Sequence, residues 1–70
     1  MIEVNKIWLT PSEIWILTSD GKQACEHFSD YRGLRNATQE EREDYTLSPY
    51  GIHWEKLDED LCYEGFFARK

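Results

Sequence analysis

Residues 7–21, which read IWLTPSEIWILTSDG, decide the fold of this chain. Two stretches rich in β-branched and aromatic residues, typical of strands, flank residues 10–13 (TPSE), a turn signal with proline at its second position. Residues 20–21 (DG) follow the second stretch and are the strongest short signal for a hairpin, with positive φ expected at both. The more polar residues 22–27 then predict a third strand. We therefore expect a three-stranded antiparallel meander whose first strand begins near Ile2.

A turn at residues 10–13 places Leu9 opposite Ile14 and Trp8 opposite Trp15. Because side chains alternate along a strand, each face of the hairpin receives its own apolar set. One face holds Ile7, Leu9, Ile14 and Ile16, and the other holds Ile2, Val4, Trp8, Trp15 and Leu17. A bulge near residues 5–6 would move Ile2 and Val4 to the first face. Both faces of the hairpin stay apolar in either case.

The face that carries Trp8, Trp15 and Leu17 has two interpretations. In the first, the C-terminal segment covers it, with Trp54, Leu57, Leu61 and Phe66 as the lid. In the second, another molecule covers it, as in a protein interface. These three residues are therefore our first interaction candidates.

The rest of the chain predicts short helices and one late strand. Residues 38–41 (TQEE) form a capping box, which predicts a helix over 39–45, and residues 31–37 favour one further helical turn. Residues 50–54 are typical of a short strand. Asp58 is expected to cap a helix that starts at residues 57–61 and ends at Gly65. The expected fold is α+β, with residues 1–70 forming a single small domain.

The chain carries a net charge of −6, with nine acidic and four basic residues after residue 35. A phosphate backbone requires clustered Lys and Arg, so direct nucleic-acid binding is not expected, whereas a basic protein partner is. No apolar run is long enough to span a membrane. The N-terminus does not resemble a secretion signal, and the two cysteines are expected to be free thiols, so we expect a cytoplasmic protein.

Two groups of polar residues are candidate sites. The acidic run Asp58, Glu59 and Asp60 is interpreted as a helix cap or as a surface for a basic partner, because it lacks the spacing of a calcium-binding loop. Cys25 and His27 share one strand face. The four Cys and His residues nevertheless lack the close paired spacing of zinc sites, so neither a metal site nor a cofactor is expected. Without a phosphate-binding loop or a nucleophile elbow, we do not expect an enzyme.

Three C-terminal motifs, GIHW at 51–54, LDEDL at 57–61 and EGFF at 64–67, resemble the signature of the domain of unknown function 2442 family. The middle of the chain is similar to the same family through LRNAT at 34–38, Arg42 and Tyr45. The N-terminal hairpin also fits the family. The chain departs from the usual pattern at Glu55, where the family often has proline, and at residues 47–49, which replace a glycine-rich stretch.

The resemblance implies a small prokaryotic α+β domain with no established activity. Some members are similar to the N-terminal part of proteins with a helix-turn-helix, and some are encoded beside a small protein in an arrangement like a toxin–antitoxin pair. We therefore expect a non-enzymatic protein-interaction domain, antitoxin-like in role, acting as a homodimer or with a small partner protein. The alternative is an accessory of a DNA-binding transcription regulator that reaches DNA only through its partner.

Overall fold

The computed structural model describes residues 2–68 as two antiparallel sheets of three strands each, joined and flanked by short helices. The first sheet contains β1 (Val4–Leu9), β2 (Glu13–Thr18) and β3 (Gln23–His27). The second sheet contains β4 (Thr46–Leu47), β5 (Gly51–Trp54) and β6 (Glu59–Cys62). A 3₁₀ turn (Phe28–Asp30) precedes α1 (Arg32–Arg35), and α2 (Gln39–Glu43) and α3 (Tyr63–Phe67) follow. The predicted α+β class and the N-terminal meander are confirmed.

The register of the first hairpin is the predicted one, with Trp8 opposite Trp15 and Leu9 opposite Ile14. The pairing shifts between Val4 and Lys6, so the bulge considered near residues 5–6 is present. Val4 consequently lies opposite Thr18 and packs against the core. The local turn and the alternation of side chains therefore predict the pairing of residues 7–9 with residues 14–16.

The connection from β2 to β3 differs from the predicted two-residue turn. The Thr18 amide donates to the Lys22 carbonyl at 2.8 Å, which leaves residues 19–21 as a three-residue loop. Of its residues, Gly21 alone has a positive φ, +89°. This is the arrangement of a turn followed by a glycine bulge, in which glycine takes the left-handed conformation without steric cost.

Helix α2 begins with the predicted capping box. The Glu41 amide donates to the Thr38 hydroxyl at 3.1 Å, and the Thr38 amide donates to the Glu41 carboxylate at 2.8 Å. The helix ends at Glu43 rather than at residue 45. Tyr45 lies beyond it and meets the Trp54 ring edge to face, with 6.0 Å between ring centroids.

The predicted helix at residues 57–61 is wrong, because this segment forms strand β6, with Leu61 opposite Ile52. Asp58 caps no helix: it lies in the turn before β6 with φ 53°. Leu57 and Leu61 have helical spacing, but the burial along β6 alternates with the two-residue period of a strand. Gly65 does not end a helix either, since it lies inside α3.

A shared core lies between the two sheets. The first sheet contributes Ile14 and Ile16, and the second contributes Ile52, Leu61 and the fully buried Trp54. Residues of the turns and helices complete it, namely Phe28, Leu34, Tyr63 and Phe66. No helix within residues 2–68 combines the length and the hydrophobicity that crossing a lipid bilayer requires.

The C-terminal residues that were expected as a lid cover the isoleucine face of the hairpin instead of the tryptophan face. Trp54, Leu61 and Phe66 belong to the core with Ile14 and Ile16, and Leu57 packs against that core. Covering the isoleucine face buries the side of the hairpin that carries more β-branched side chains. The interpretation in which these C-terminal residues cover Trp8, Trp15 and Leu17 is therefore wrong.

Candidate functional site

We call the side of the first sheet that points away from the core the outer face; its side chains are those of Lys6, Trp8, Glu13, Trp15, Leu17, Gln23, Cys25 and His27. At its centre the rings of Trp8 and Trp15 stack, with centroids 5.9 Å apart and planes 9° from parallel. Leu17 continues the apolar patch along β2. Trp8, Trp15 and Leu17 are each only half-buried, and none belongs to the core. The three apolar interaction candidates thus share one surface.

Charged groups flank the tryptophan pair at both ends of the strands. The Lys6 ammonium lies 5.5 Å from the centroid of the Trp8 ring, within range of a cation–π contact. At the other end, Glu13 accepts a hydrogen bond from the Trp15 indole N–H at 3.2 Å and lies opposite His27 in the register. The outer face therefore has an apolar centre with a cation at one end and an anion at the other.

Three potential metal ligands meet at the Glu13 end of the outer face. The ligand atoms of Glu13, Cys25 and His27 all lie within 4.8 Å of one another. The sequence placed Cys25 and His27 on one strand face but did not include Glu13. Glu13 could have been identified as a third ligand from the pairing of β2 with β3, which places it directly opposite His27.

The acidic run predicted as a second candidate site does not act as one group. Glu59 is half-buried, and its carboxylate accepts the Gly33 amide hydrogen at 2.7 Å, which ties β6 to α1. Asp60 is exposed, and its carboxylate lies 2.5 Å from Nδ1 of His53 on the neighbouring strand. Asp58 is exposed in the turn. All three lie in the second sheet or its turn, and only Asp58 and Asp60 are available as surface charges.

The acidic surface extends beyond this run. Its exposed members are Glu40, Glu41, Glu43, Asp44, Glu55, Asp58 and Asp60. Lys56 offsets one of them through an exposed ion pair, with 3.3 Å between its ammonium and the Asp44 carboxylate. Helix α2 and the β5–β6 turn therefore present a predominantly negative surface.

A groove lies between the first sheet on one side and α3 with the β4–β5 connection on the other. Its walls include Val4, Thr18, Asp20, Tyr63 and Phe67. The Thr18 hydroxyl donates to Asp20 and lowers the pKa of that carboxyl. Its lining within residues 2–68 contains neither histidine nor cysteine. Its polar lining also includes Ser19, Lys22 and Ser48.

Comparison with known proteins gives one match. The model of the family described as "Protein of unknown function (DUF2442)" matches residues 4–70. Neither the search of curated proteins nor the search of solved structures found a match. The matched range contains all the strands and helices described above, so the chain belongs to the DUF2442 family.

Proposed function

We propose that this chain is a non-enzymatic protein-interaction domain that docks through the outer face of its first sheet. The observation that carries the proposal is the stacked pair of Trp8 and Trp15, which lies outside the core and keeps contact with solvent. Tryptophan is enriched at the centres of protein interfaces. Burying one such side chain contributes about 1.5–3 kcal/mol, so covering the pair would stabilise a complex substantially.

The occupant we propose for the outer face is a second copy of the chain. Lys6 and Glu13 lie at opposite ends of the strands, with the tryptophan pair between them. A twofold axis that runs across the strands would lay the tryptophans of one copy on those of the other. The same axis would bring the Lys6 end of each copy toward the Glu13 end of its partner. The face is therefore complementary to itself in charge and in hydrophobicity.

The acidic surface supports a further contact, with a basic protein. Its exposed carboxylates surround α2 and the β5–β6 turn, on elements other than the outer face. Opposite charge would speed the encounter with such a partner. An antitoxin-like role in a prokaryotic cytoplasm is the form of this function that the family resemblance suggests. An accessory of a DNA-binding regulator would use the same acidic surface to bind its protein partner. It would reach DNA only through that partner, because a net charge of −6 disfavours direct binding to the phosphate backbone.

The molar mass in solution tests the outer face. Light scattering at rising concentration should give a mass that moves toward twice that of the chain, and Trp8→Ala and Trp15→Ala should return it to the monomer value. Each variant should stay folded by circular dichroism, since the lost cross-strand pair stabilises by only about 0.2–1 kcal/mol. Tyr50→Ala is the matched control, because Tyr50 is a 71% exposed aromatic outside the outer face.

Two results would overturn the proposal. A wild-type mass that stays monomeric at every concentration would remove the second copy as occupant. A dimer that both tryptophan variants leave intact would remove the outer face as the docking surface. Binding of duplex DNA by the isolated chain at physiological salt would instead favour a protein that contacts DNA directly.

A further inference from the structure

We propose that Glu13, Cys25 and His27 form a Zn²⁺-binding site at one end of the outer face. Cys25 and His27 are two residues apart on β3, so the pleat points both side chains to the same side. Glu13 reaches the same place from β2, directly opposite His27. Paired strands hold all three backbone positions, which limits the reorganisation that metal binding would require.

The distances suit one small ion. With zinc bonds of about 2.0–2.3 Å, donor atoms around a tetrahedral ion lie roughly 3.3–3.8 Å apart. Nδ1 of His27 is 3.9 Å from Oε2 of Glu13, and all three ligand atoms lie within 4.8 Å of one another. Small side-chain rotations therefore bring the three donors to zinc-binding distances.

The surroundings of Glu13 orient it for this role. One carboxylate oxygen, Oε1, accepts hydrogen bonds from the Thr10 hydroxyl at 3.1 Å and from the Trp15 indole at 3.2 Å. The other oxygen, Oε2, is the one nearest His27. Hydrogen bonds that fix a ligating carboxylate in this way are the usual outer support of a metal ligand.

The donor set selects the metal. A thiolate and an imidazole suit zinc, whereas calcium and magnesium take oxygen ligands. Three protein ligands leave a fourth tetrahedral position for water or for a donor from a docked molecule. Binding requires a deprotonated thiol and a neutral imidazole, so zinc affinity should fall as the pH is lowered.

The second sheet provides an internal comparison. Asp60 and Cys62 are two residues apart on β6, and His53 lies opposite Asp60, so the same three ligand types occur on paired strands. Their ligand atoms do not gather: within residues 2–68, Glu13, Cys25 and His27 are the one group of three or more that meets the 4.8 Å limit. His53 and Cys62 are therefore matched controls for His27 and Cys25.

Cobalt titration of the reduced, metal-free protein tests the site. Co²⁺ should produce the charge-transfer absorption of a thiolate–cobalt bond together with the visible bands of four-coordinate cobalt, and Zn²⁺ should displace it. Cys25→Ser should abolish the charge-transfer band. Glu13→Gln and His27→Asn should weaken zinc binding at least tenfold in competition with a chromophoric chelator. Cys62→Ser and His53→Asn should leave both readouts unchanged.

Two outcomes would overturn the site. One is the absence of a thiolate–cobalt band in the wild-type protein, and the other is a band that Cys62→Ser removes while Cys25→Ser keeps it. The Trp8→Ala variant retains all three ligands, so titrating it separates this inference from the proposed docking function. Cobalt binding by a monomeric Trp8→Ala protein would support the metal site whatever covers the outer face.

Discussion

At the scale of single residues, Gly51 lies where the backbone of β6 leaves no room for a side chain. A Cβ atom at this position would lie 2.2 Å from the Leu61 carbonyl oxygen and 2.8 Å from Cα of Cys62. Both neighbours are backbone atoms of the paired strand β6, so they cannot move aside without separating the strands. We expect Gly51→Ala to lower the free energy of unfolding by about 1–3 kcal/mol or more, measured by urea denaturation.

Gly65→Ala is the control for that substitution. Gly65 lies inside α3, and its added Cβ would meet the movable Cys62 sulfur at 3.2 Å. Alanine is favoured over glycine in a helix interior by roughly 0.5–1 kcal/mol, so this variant should be as stable as the wild type or slightly more stable. Equal losses at Gly51 and Gly65 would contradict the close strand approach.

Tyr63 is expected to make the free energy of unfolding fall at alkaline pH. Its side chain is buried, its hydroxyl donates to the Ser48 carbonyl at 3.1 Å, and burial raises its pKa. Below about pH 10 the phenol is neutral in the folded and the unfolded state, so it adds no pH dependence. Above that pH the unfolded chain ionises first, and the free energy of unfolding falls until the folded phenol ionises as well.

Tyr63→Phe should therefore reduce this alkaline loss. Urea denaturation at about pH 8 and about pH 11, on either side of the usual tyrosine pKa, measures it in both proteins. Part of the loss should persist in the variant, because burial also raises the pKa of Tyr31. Identical losses in wild type and variant would show that Tyr63 does not contribute.

At the scale of the elements, Arg42 fixes α2 to the rest of the fold. Its guanidinium donates to the carbonyls of Leu34 at 2.9 Å and Pro11 at 3.0 Å, and lies 4.4 Å from the centroid of the Phe28 ring. Lysine cannot form this planar set of contacts, so Arg42→Lys should cost about 1.5–3 kcal/mol in urea denaturation. The exposed Arg35→Lys should change stability little, and equal effects of the two substitutions would argue against this role.

The elements also show what the sequence can and cannot predict. The register of the β1–β2 hairpin was predictable, because a local turn and the alternation of Trp8 and Leu9 determine it, whereas the bulge before Lys6 was one of two alternatives. Strand β6 was not, because the spacing of Leu57 and Leu61 suits a helix as well and only pairing with the distant β5 decides between them. Strand β4 has two exposed residues and therefore no apolar pattern.

In the candidate sites, too, the sequence predicts what a local pattern determines and not what depends on strand pairing. The common face of Trp8, Trp15 and Leu17 follows from alternation along one hairpin, and the sequence predicts it. The meeting of Glu13 with Cys25 and His27 depends on the pairing of β2 with β3, which no motif spacing encodes. The sequence does not distinguish Glu59 from its acidic neighbours, because adjacency gives no information about which carboxylate accepts the Gly33 amide hydrogen.

At the scale of the whole molecule, the two sheets bury their apolar side chains against each other, and this leaves the outer face of the first sheet uncovered. Ile14 and Ile16 of one sheet and Ile52 and Trp54 of the other are at most 1% exposed. A short chain can build one such core, and the side of the hairpin that does not face it retains its tryptophans at the surface. The outer face is thus exposed because the C-terminal half covers the other side of the hairpin.

A shared core predicts that both sheets unfold together, as a single domain would. The double variant Trp8→Phe and Trp15→Phe leaves Trp54, fully buried in the core, as the only tryptophan of the chain. Its fluorescence reports the shared core, whereas far-ultraviolet circular dichroism reports the backbone of both sheets. We expect the two signals to give the same urea midpoint, because neither sheet can keep its apolar face buried without the other. Separate midpoints would mean that the N-terminal meander and the second sheet are independently stable.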